Sequence, residues 1–356
     1  MPTLSGSARG LYAAAAPARL FQLIFFVTAR CNARCKMCFY LDQIEQANNN
    51  LTNELTLKEI QNFASNLGHV PYLSLSGGEP FLRRDLFELV DAMVSATKPL
   101  MVSIPTNGAY PERVEAVISR LAKLHSETQF DIQLSLDGPE HIHDEIRQVP
   151  GLYKRLLDTH HRLRALQKEL ANLGIKIVTT YSTFNQDHVS QLLDQIEQDF
   201  PADRVILAKA HGNCSSETKD GLNLNAFRRL LKRVETINSK TADQRTLISN
   251  MSLRIKRGKE KIRQRFEHNA DLGKFCGAGR KLVVLGETGV VFPCEILDRP
   301  LGNIRNYDFD LYNVLDATMP ELEKQNTIRE CHCDWGCAQN IAVVSSPRFW
   351  PSLFIG

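Results

Sequence analysis

Between residues 20 and about 212 the chain alternates short apolar runs with longer amphipathic ones, and this alternation limits its possible folds more than any other feature. The runs near 21–28, 72–76, 100–104, 130–136, 175–181 and 204–209 have strand length and are bounded by turn residues. Between them, 56–67, 83–97, 111–124, 151–173 and 188–199 carry apolar residues at helical spacing. Parallel strands need a crossover connection, and a helix supplies it while covering one face of the sheet. The chain is therefore of the α/β class with a parallel sheet. In such sheets the loops at the carboxyl ends of the strands carry the chemistry.

The first of those loops holds Cys31, Cys35 and Cys38, three cysteines within eight residues spaced C-x3-C-x2-C. Three thiolates are one ligand short of a closed site, so a [4Fe-4S] cube held by them keeps one iron open to a ligand. Zinc is the alternative reading, but a structural zinc site takes four ligands, commonly as two close pairs. No fourth Cys or His lies near: the next histidine is His69 and the next cysteine is Cys214. The second strand run ends in Gly77-Gly78-Glu79-Pro80. Its glycines remove side chains where a ligand must approach backbone, and its proline fixes the turn. The third ends in Thr106-Asn107-Gly108, a turn by composition. The fourth ends in Ser135-Leu136-Asp137-Gly138, followed by His143, Asp144 and Arg147. Asp137 reads as a helix N-cap with Pro139 in the first turn.

In this order the motifs resemble the signature of radical S-adenosylmethionine (SAM) enzymes. The resemblance implies a partial (β/α)6, TIM-like barrel over residues 20–212, with a [4Fe-4S] cluster on Cys31, Cys35 and Cys38 and SAM on the open iron. It implies reductive cleavage of SAM to a 5′-deoxyadenosyl radical that abstracts a substrate hydrogen. An electron donor such as flavodoxin or ferredoxin is the implied partner. By the same resemblance, Met37 stands where backbone meets the adenine, a position that is often aromatic in the family. Gly77, Gly78, Glu79 and Pro80 form the motif for the SAM amino group, and Asn107 lies near the ribose or methionyl part. Ser135, Asp137 and Arg147 belong to a stretch that contacts the SAM carboxylate or ribose.

Five further cysteines lie near the C-terminal end: Cys276, Cys294, Cys331, Cys333 and Cys337. Val283–Leu285 and Val290–Phe292 are short β runs joined by Gly286-Glu287-Thr288-Gly289, a hairpin signal that brings Cys276 and Cys294 towards one metal. Zinc competes here, since four or more Cys and His ligands are present. With Leu301-Gly302-Asn303-Ile304 and the terminal cysteines, the pattern resembles a SPASM domain or its shorter twitch form. That resemblance implies a second, auxiliary [4Fe-4S] cluster in a small α+β domain over 271–345. Its ligands would be Cys276, Cys294 and two of Cys331, Cys333 and Cys337. Cys214 stands alone and reads as an ordinary buried or loop thiol.

Residues 1–19 read as an N-terminal extension, 346–356 as a tail and 213–270 as a polar helical linker. The linker is basic at Arg254, Lys256, Arg257, Lys259, Lys261, Arg263 and Arg265. That stretch reads first as a solvated helix face and second as an attractor for an anionic substrate. A composition of 43% hydrophobic and 23% charged residues with net charge +3 points to neither nucleic acid nor membrane. No apolar run reaches the roughly 18 residues of a membrane span. Cysteines in metal-like spacings without an export signal point to a reducing, cytoplasmic compartment. Only about 20 residues precede the first strand, against roughly 80 for the leader-binding domain of many peptide-modifying members, which favours a small-molecule substrate. The expectation is a radical SAM oxidoreductase whose auxiliary cluster accepts an electron from the substrate radical. The alternatives are a peptide-modifying enzyme and, from another class, a non-catalytic zinc or iron–sulfur scaffold. Tyr181, Lys209 and Glu295 occupy plausible places, but the sequence singles out no catalytic acid or base.

Overall fold

The computed structural model describes residues 20–49, 53–212, 214–241, 276–324 and 336–345. Six strands alternate with helices in its first part: β1 (Gln22–Thr28), β2 (Tyr72–Gly77), β3 (Met101–Thr106), β4 (Gln129–Ser135), β5 (Leu173–Tyr181) and β6 (Arg204–Lys209). They are neighbours in chain order and all parallel. Among the described residues β6 pairs only with β5, so the arc stays open, as a partial barrel requires.

Each strand presents one face to the helices. On β2, Leu73 and Leu75 are buried while Tyr72, Ser74 and Ser76 on the other face are half-buried. The inner face is polar where a closed barrel packs branched apolar side chains. Gln133 Nε2 donates to Ser103 Oγ at 2.6 Å, and Lys176 pairs with Asp131. An inner surface of this kind suits a polar ligand better than a dry core.

The crossing helices are α1 (Leu41–Asn49), α2 (Leu57–Leu67), α3 (Leu86–Thr97), α4 (Pro111–Leu124), α5 (Glu140–Arg147), α6 (Leu152–Gln167) and α7 (Val189–Asp199). In α2, Ile60, Phe63, Ala64 and Leu67 recur on one stripe and are buried. Its start is fixed by a capping box in which Thr56 N donates to Glu59 Oε2 at 2.8 Å and Thr56 Oγ1 accepts from Glu59 N at 3.3 Å. Two boundaries differ from the sequence pattern. The helix expected from residue 83 begins at Leu86, because Pro80–Leu82 forms a 3-10 turn. Arg83 is also drawn beneath β1, donating to Val27 O and Leu55 O at 2.6 Å each. The helix expected over 151–173 ends at Gln167, and a short turn leads into β5.

The expected linker begins with α8 (Ser216–Lys219) and α9 (Leu224–Thr241). Phe227, Leu230, Val234 and Ile237 of α9 are buried in the main core. Asn238 accepts from Val205 N at 2.7 Å and donates to Val205 O at 2.8 Å, which satisfies backbone groups on the free edge of β6. The C-terminal hairpin, β7 (Leu282–Leu285) and β8 (Val290–Phe292), forms as read from the sequence. β7 pairs in parallel with β1, from Gln22 opposite Leu282 to Phe25 opposite Leu285. With β9 (Gly302–Asn303) the sheet reaches nine strands. Residues of α10 (Leu311–Lys324) and α11 (Gly336–Ser345) join the same buried cluster as β1. The described residues from 276 onward therefore share one sheet and one core with residues 20–212. Residues 1–19, the basic stretch 254–265, Cys331, Cys333 and the tail lie outside the described residues. Among the described residues no helix is long and apolar enough to cross a membrane.

One arginine clamps the hairpin to the first helical layer. Arg305 bonds Glu59 at 2.6 and 3.1 Å and Thr288 O at 3.1 Å. The Arg305 hydrogen bond lowers the Glu59 carboxyl from 4.5 to about 2. Arg305→Ala should cost about 2 kcal/mol, the worth of hydrogen bonds between charged groups. Because the folded-state value is depressed, this contribution is complete above pH 4.5 and is lost as the pH falls through about 2. Urea unfolding of both proteins across that range checks it: a stability gap that does not close on acidification would contradict the pairing.

Candidate metal centre

Cys31, Cys35 and Cys38 lie on the loop that leaves the carboxyl end of β1. Three neighbours fix that loop. The end of β2 lies against its start: Gly78 N donates to Thr28 O and Glu79 N to Arg30 O, both at 2.8 Å. A Cβ on Gly77 would stand 2.3 Å from Thr28 O, and one on Gly78 would stand 2.2 Å from Arg30 O. The glycines thus admit this chain's own backbone, where the sequence suggested the approach of a ligand. The end of α5 receives the middle of the loop, with Arg34 N bonded to Arg147 O at 3.2 Å and Lys36 N to Ile146 O at 3.0 Å. Glu54 holds the entrance, accepting from Thr28 Oγ1 at 2.5 Å and Ala29 N at 3.2 Å and pairing with Arg30 at 3.3 Å.

Around the loop stand the strand-end residues. Glu79 is 2% exposed, and its carboxylate accepts from Phe81 N at 3.2 Å, Thr106 Oγ1 at 2.8 Å and Asn107 N at 2.7 Å. All three donors are neutral, and burial pushes this carboxyl above its usual range. Asn107 is buried and donates to Asn32 Oδ1 at 2.8 Å, joining the third strand end to the cysteine loop. Pro80 opens the 3-10 turn, and the Met37 side chain packs with Ile146, Ala210 and Cys214. Ser135 is half-buried at the end of β4, opposite Val178.

Asp137 does not cap the following helix. That helix begins at Glu140 with Pro139 in the cap position. The Asp137 carboxylate is claimed by Arg147, at 2.8 and 2.5 Å, and by Thr180 N at 2.8 Å. His143 Nδ1 accepts from Asp137 N at 3.2 Å. Asp144 instead caps the start of α6, accepting from Gly151 N at 2.5 Å and Tyr153 N at 2.8 Å. The motif is a bracket that delivers the Arg147 guanidinium to Cys35, whose thiolate it stabilises.

The donor set fits a cluster. Burial, with mutual repulsion and Glu79 behind it, pushes the Cys31 thiol up to about 12. Burial and Cys35 push Cys38 up to about 11, and burial raises Cys35 as well. Three thiolates here need a positive group beyond Arg147, which bound iron supplies. No group of three or more His, Cys, Asp or Glu among the described residues is arranged to hold a single metal ion.

The second cysteine group lies elsewhere. Gly279 N donates to Pro293 O at 3.0 Å, which draws the segments of Cys276 and Cys294 together. Gly277 lies against Ile341, one helical turn beyond Cys337 on α11. Cys337 is close enough to Tyr72 that, after burial, it is the next cause raising that hydroxyl. Tyr72 pairs with Gln22 at the amino end of β1, whereas the triad follows Thr28 at its carboxyl end. The two groups are thus separated by roughly 20 Å, the length of a seven-residue strand.

Several residues of the centre carried no motif. Glu54 and Arg83 act through loop closures that only the fold creates. Cys214 adds to the rise of the Cys38 thiol, so it lies beside the triad, buried. Of the weaker suggestions, Tyr181 is fully buried and donates to Asn223 O at 3.0 Å. Lys209 lines a cavity of about 480 Å³ with His211, Lys219, Asp220 and Ile296. Phe39 of the triad segment packs on His211, with centroids 5.2 Å apart, so the cavity borders the cysteine loop.

Comparison with known proteins gives a family and a fold. The family described as Radical SAM superfamily matches residues 25–196. The chain is 32% identical over 174 residues to the pre-heme d1 synthase of Dinoroseobacter shibae, covering 48% of this chain and 39% of that protein. It is 26% identical over 295 residues to the AdoMet-dependent heme synthase of Methanosarcina barkeri, covering 80% and 79%. The chain therefore spans less than half the length of the first relative and most of the second. The crystal structure of Streptococcus suis SuiB bound to the precursor peptide SuiA shares the fold, with TM-score 0.59 and 16% identity over 92% of this chain and 71% of that one.

The glycine seam is testable by itself. Gly78→Ala should destabilise the fold by about 1–3 kcal/mol, the usual cost of forcing atoms into packed space. It should also lower the iron bound per chain after anaerobic reconstitution. Unchanged melting and iron content would show that Arg30 can move aside at no cost.

Proposed function

With residues 25–196 as its core, the chain is a radical SAM superfamily protein, and we propose that it is a radical SAM oxidoreductase acting on a small molecule. The carrying observation is the set of three half-buried thiols on the loop at the carboxyl end of β1, flanked by Arg147 and Glu79. When bound, a [4Fe-4S] cluster with SAM supplies one-electron cleavage and hydrogen-atom abstraction, and a second cluster supplies an electron acceptor. Cys31, Cys35 and Cys38 would hold the first cluster. Glu79, surrounded by neutral donors, is the buried acid that an ammonium would complement, as the resemblance gives for SAM. Gly77, Gly78 and Pro80 shape its turn, Asn107 ties that turn to the cysteine loop, and Ser135, Asp137 and Arg147 would complete the cradle beside Met37. Cys276, Cys294 and Cys337, with Cys331 or Cys333, would hold the auxiliary cluster.

The oxidoreductase reading draws support from the separation of the two cysteine groups along β1. Cys276, Cys294 and Cys337 would hold at the other end a group able to accept an electron from the substrate. The small-molecule reading draws support from the 480 Å³ cavity beside the triad, inside the range of about 300–1,000 Å³ common for such ligands. A peptide substrate is the second reading, favoured by the peptide-bound S. suis relative in fold.

Anaerobic incubation with SAM and a strong reductant should release 5′-deoxyadenosine, and Cys31→Ala should abolish the release. The reconstituted chain should carry about eight irons, falling to about four in Cys276→Ala with SAM cleavage retained. Cleavage that survives Cys31→Ala would remove the triad assignment, and four irons in the unaltered chain would remove the auxiliary cluster.

A further inference from the structure

Tyr40 follows the last triad cysteine by two residues and is 8% exposed. Its ring stands edge-on to Phe26 of β1, with centroids 4.8 Å apart at 82°. Packing alone would be met by phenylalanine; the hydroxyl needs a buried partner. That partner is Glu287 Oε2, which accepts from Tyr40 Oη in a short contact. Glu287 belongs to the turn of the β7–β8 hairpin, about 250 residues along the chain. A hairpin tip ordinarily puts such a carboxylate in water. Here the tip is pressed against the sheet top by three other bonds. Leu55 N donates to Glu287 O at 2.7 Å, Asn303 Nδ2 to Thr288 O at 3.0 Å and Arg305 Nη1 to Thr288 O at 3.1 Å.

We infer that Glu287 is a positioning residue for the cysteine loop, fixing the exit of that loop through Tyr40 as Glu54 fixes its entrance. Glu54 accepts from Thr28 and Ala29 just ahead of Cys31. The loop is therefore held at both ends by carboxylates from segments outside it, one of them in the C-terminal hairpin. The charged acceptor makes the Tyr40 bond stronger than a neutral one. With it removed, the Tyr40–Phe39–Cys38 segment loses its only tie to the hairpin tip among the described side-chain bonds. The N-terminal cysteine site thus depends on the C-terminal strands for its geometry. This inference rests on the iron–sulfur reading of the triad.

The test uses the full chain, reconstituted anaerobically, as wild type, Glu287→Ala, Glu287→Gln, Tyr40→Phe and the double variant Glu287→Ala/Tyr40→Phe. Cluster loss to an added chelator is followed on the part of the reduced EPR signal that SAM perturbs, which isolates the site with the open iron. Glu287→Ala and Tyr40→Phe should each speed that loss about tenfold, the order expected for one charge-assisted hydrogen bond. The double variant should be no faster than either single, because both remove the same interaction. Glu287→Gln retains a neutral acceptor and should fall between wild type and Glu287→Ala. Wild-type rates in the Ala and Phe variants, or effects that multiply in the double, would overturn the inference. Tyr40→Phe keeps the ring packing and carries the test alone should Glu287→Ala fail to fold. A wild-type chain without any SAM-responsive signal would instead overturn the iron–sulfur reading, and the inference with it.

Discussion

The backbone of Thr28–Arg30 lies against Gly77 and Gly78 at a separation that no side chain permits. Two hydrogen bonds cross that seam, from Gly78 and Glu79 to Thr28 and Arg30. They continue the β1–β2 ladder past its regular end, through the irregularity at Phe26 and Thr28. The turn that leaves this seam buries Glu79, and the buried carboxylate then gathers Thr106 and Asn107 from the third strand. Asn107 in turn reaches Asn32 inside the cysteine loop. A single close approach therefore organises three strand ends around the triad. The local cost of glycine, an extra loss of backbone freedom on folding, is offset by every contact that the approach makes possible.

The C-terminal strands extend the same sheet instead of forming a separate layer. β7 pairs with β1 along four residues, and the core residues Val283, Ile304, Val314 and Ile341 belong to the cluster that holds Phe25 and Leu73. β1 is consequently central, with every residue buried. A central strand buried on both faces reads as an unbroken apolar run, and Leu23-Ile-Phe-Phe-Val27 is one. The same fact ties the two cysteine groups together mechanically: one lies past the carboxyl end of β1, the other towards its amino end.

Much of this was legible in the sequence. Strand and helix order followed from hydrophobic period, since each parallel strand must bury its outer face under the next helix. The open six-strand arc, by contrast, came from the family resemblance. The cysteine loop and its strand-end motifs were visible because their residue types are restricted by chemistry or backbone geometry. What stayed hidden depends on long-range closure. Glu54 and Glu287 look like solvent-facing acids, and only the pairing of β7 with β1 brings the hairpin tip to Tyr40. The helix α9 looked like a linker because its surface is so polar, yet its buried stripe of Phe227, Leu230, Val234 and Ile237 covers the edge of the arc. Asp137 had the composition of a cap, but an arginine ten residues away competes for it more strongly than backbone amides could.

That competition explains why a buried ion pair is retained beside the triad. Asp137 is fully buried, and a buried pair alone contributes little net stability, because desolvation opposes its attraction. Its effect is positional. Arg147 is the last residue of α5, so gripping Asp137 fixes where that helix ends relative to β4. The carbonyls exposed at that end, Ile146 O and Arg147 O, are the acceptors for the amides of Lys36 and Arg34. Helix carbonyls left without an intrahelical partner must find donors nearby, and the cysteine loop supplies them. The register of one strand end is thereby passed through a guanidinium to a helix end and from there to the backbone between Cys31 and Cys38. A hydrophobic pair of equal volume could fill the space but could not transmit that register, and it would leave the Cys35 thiolate without its cationic neighbour.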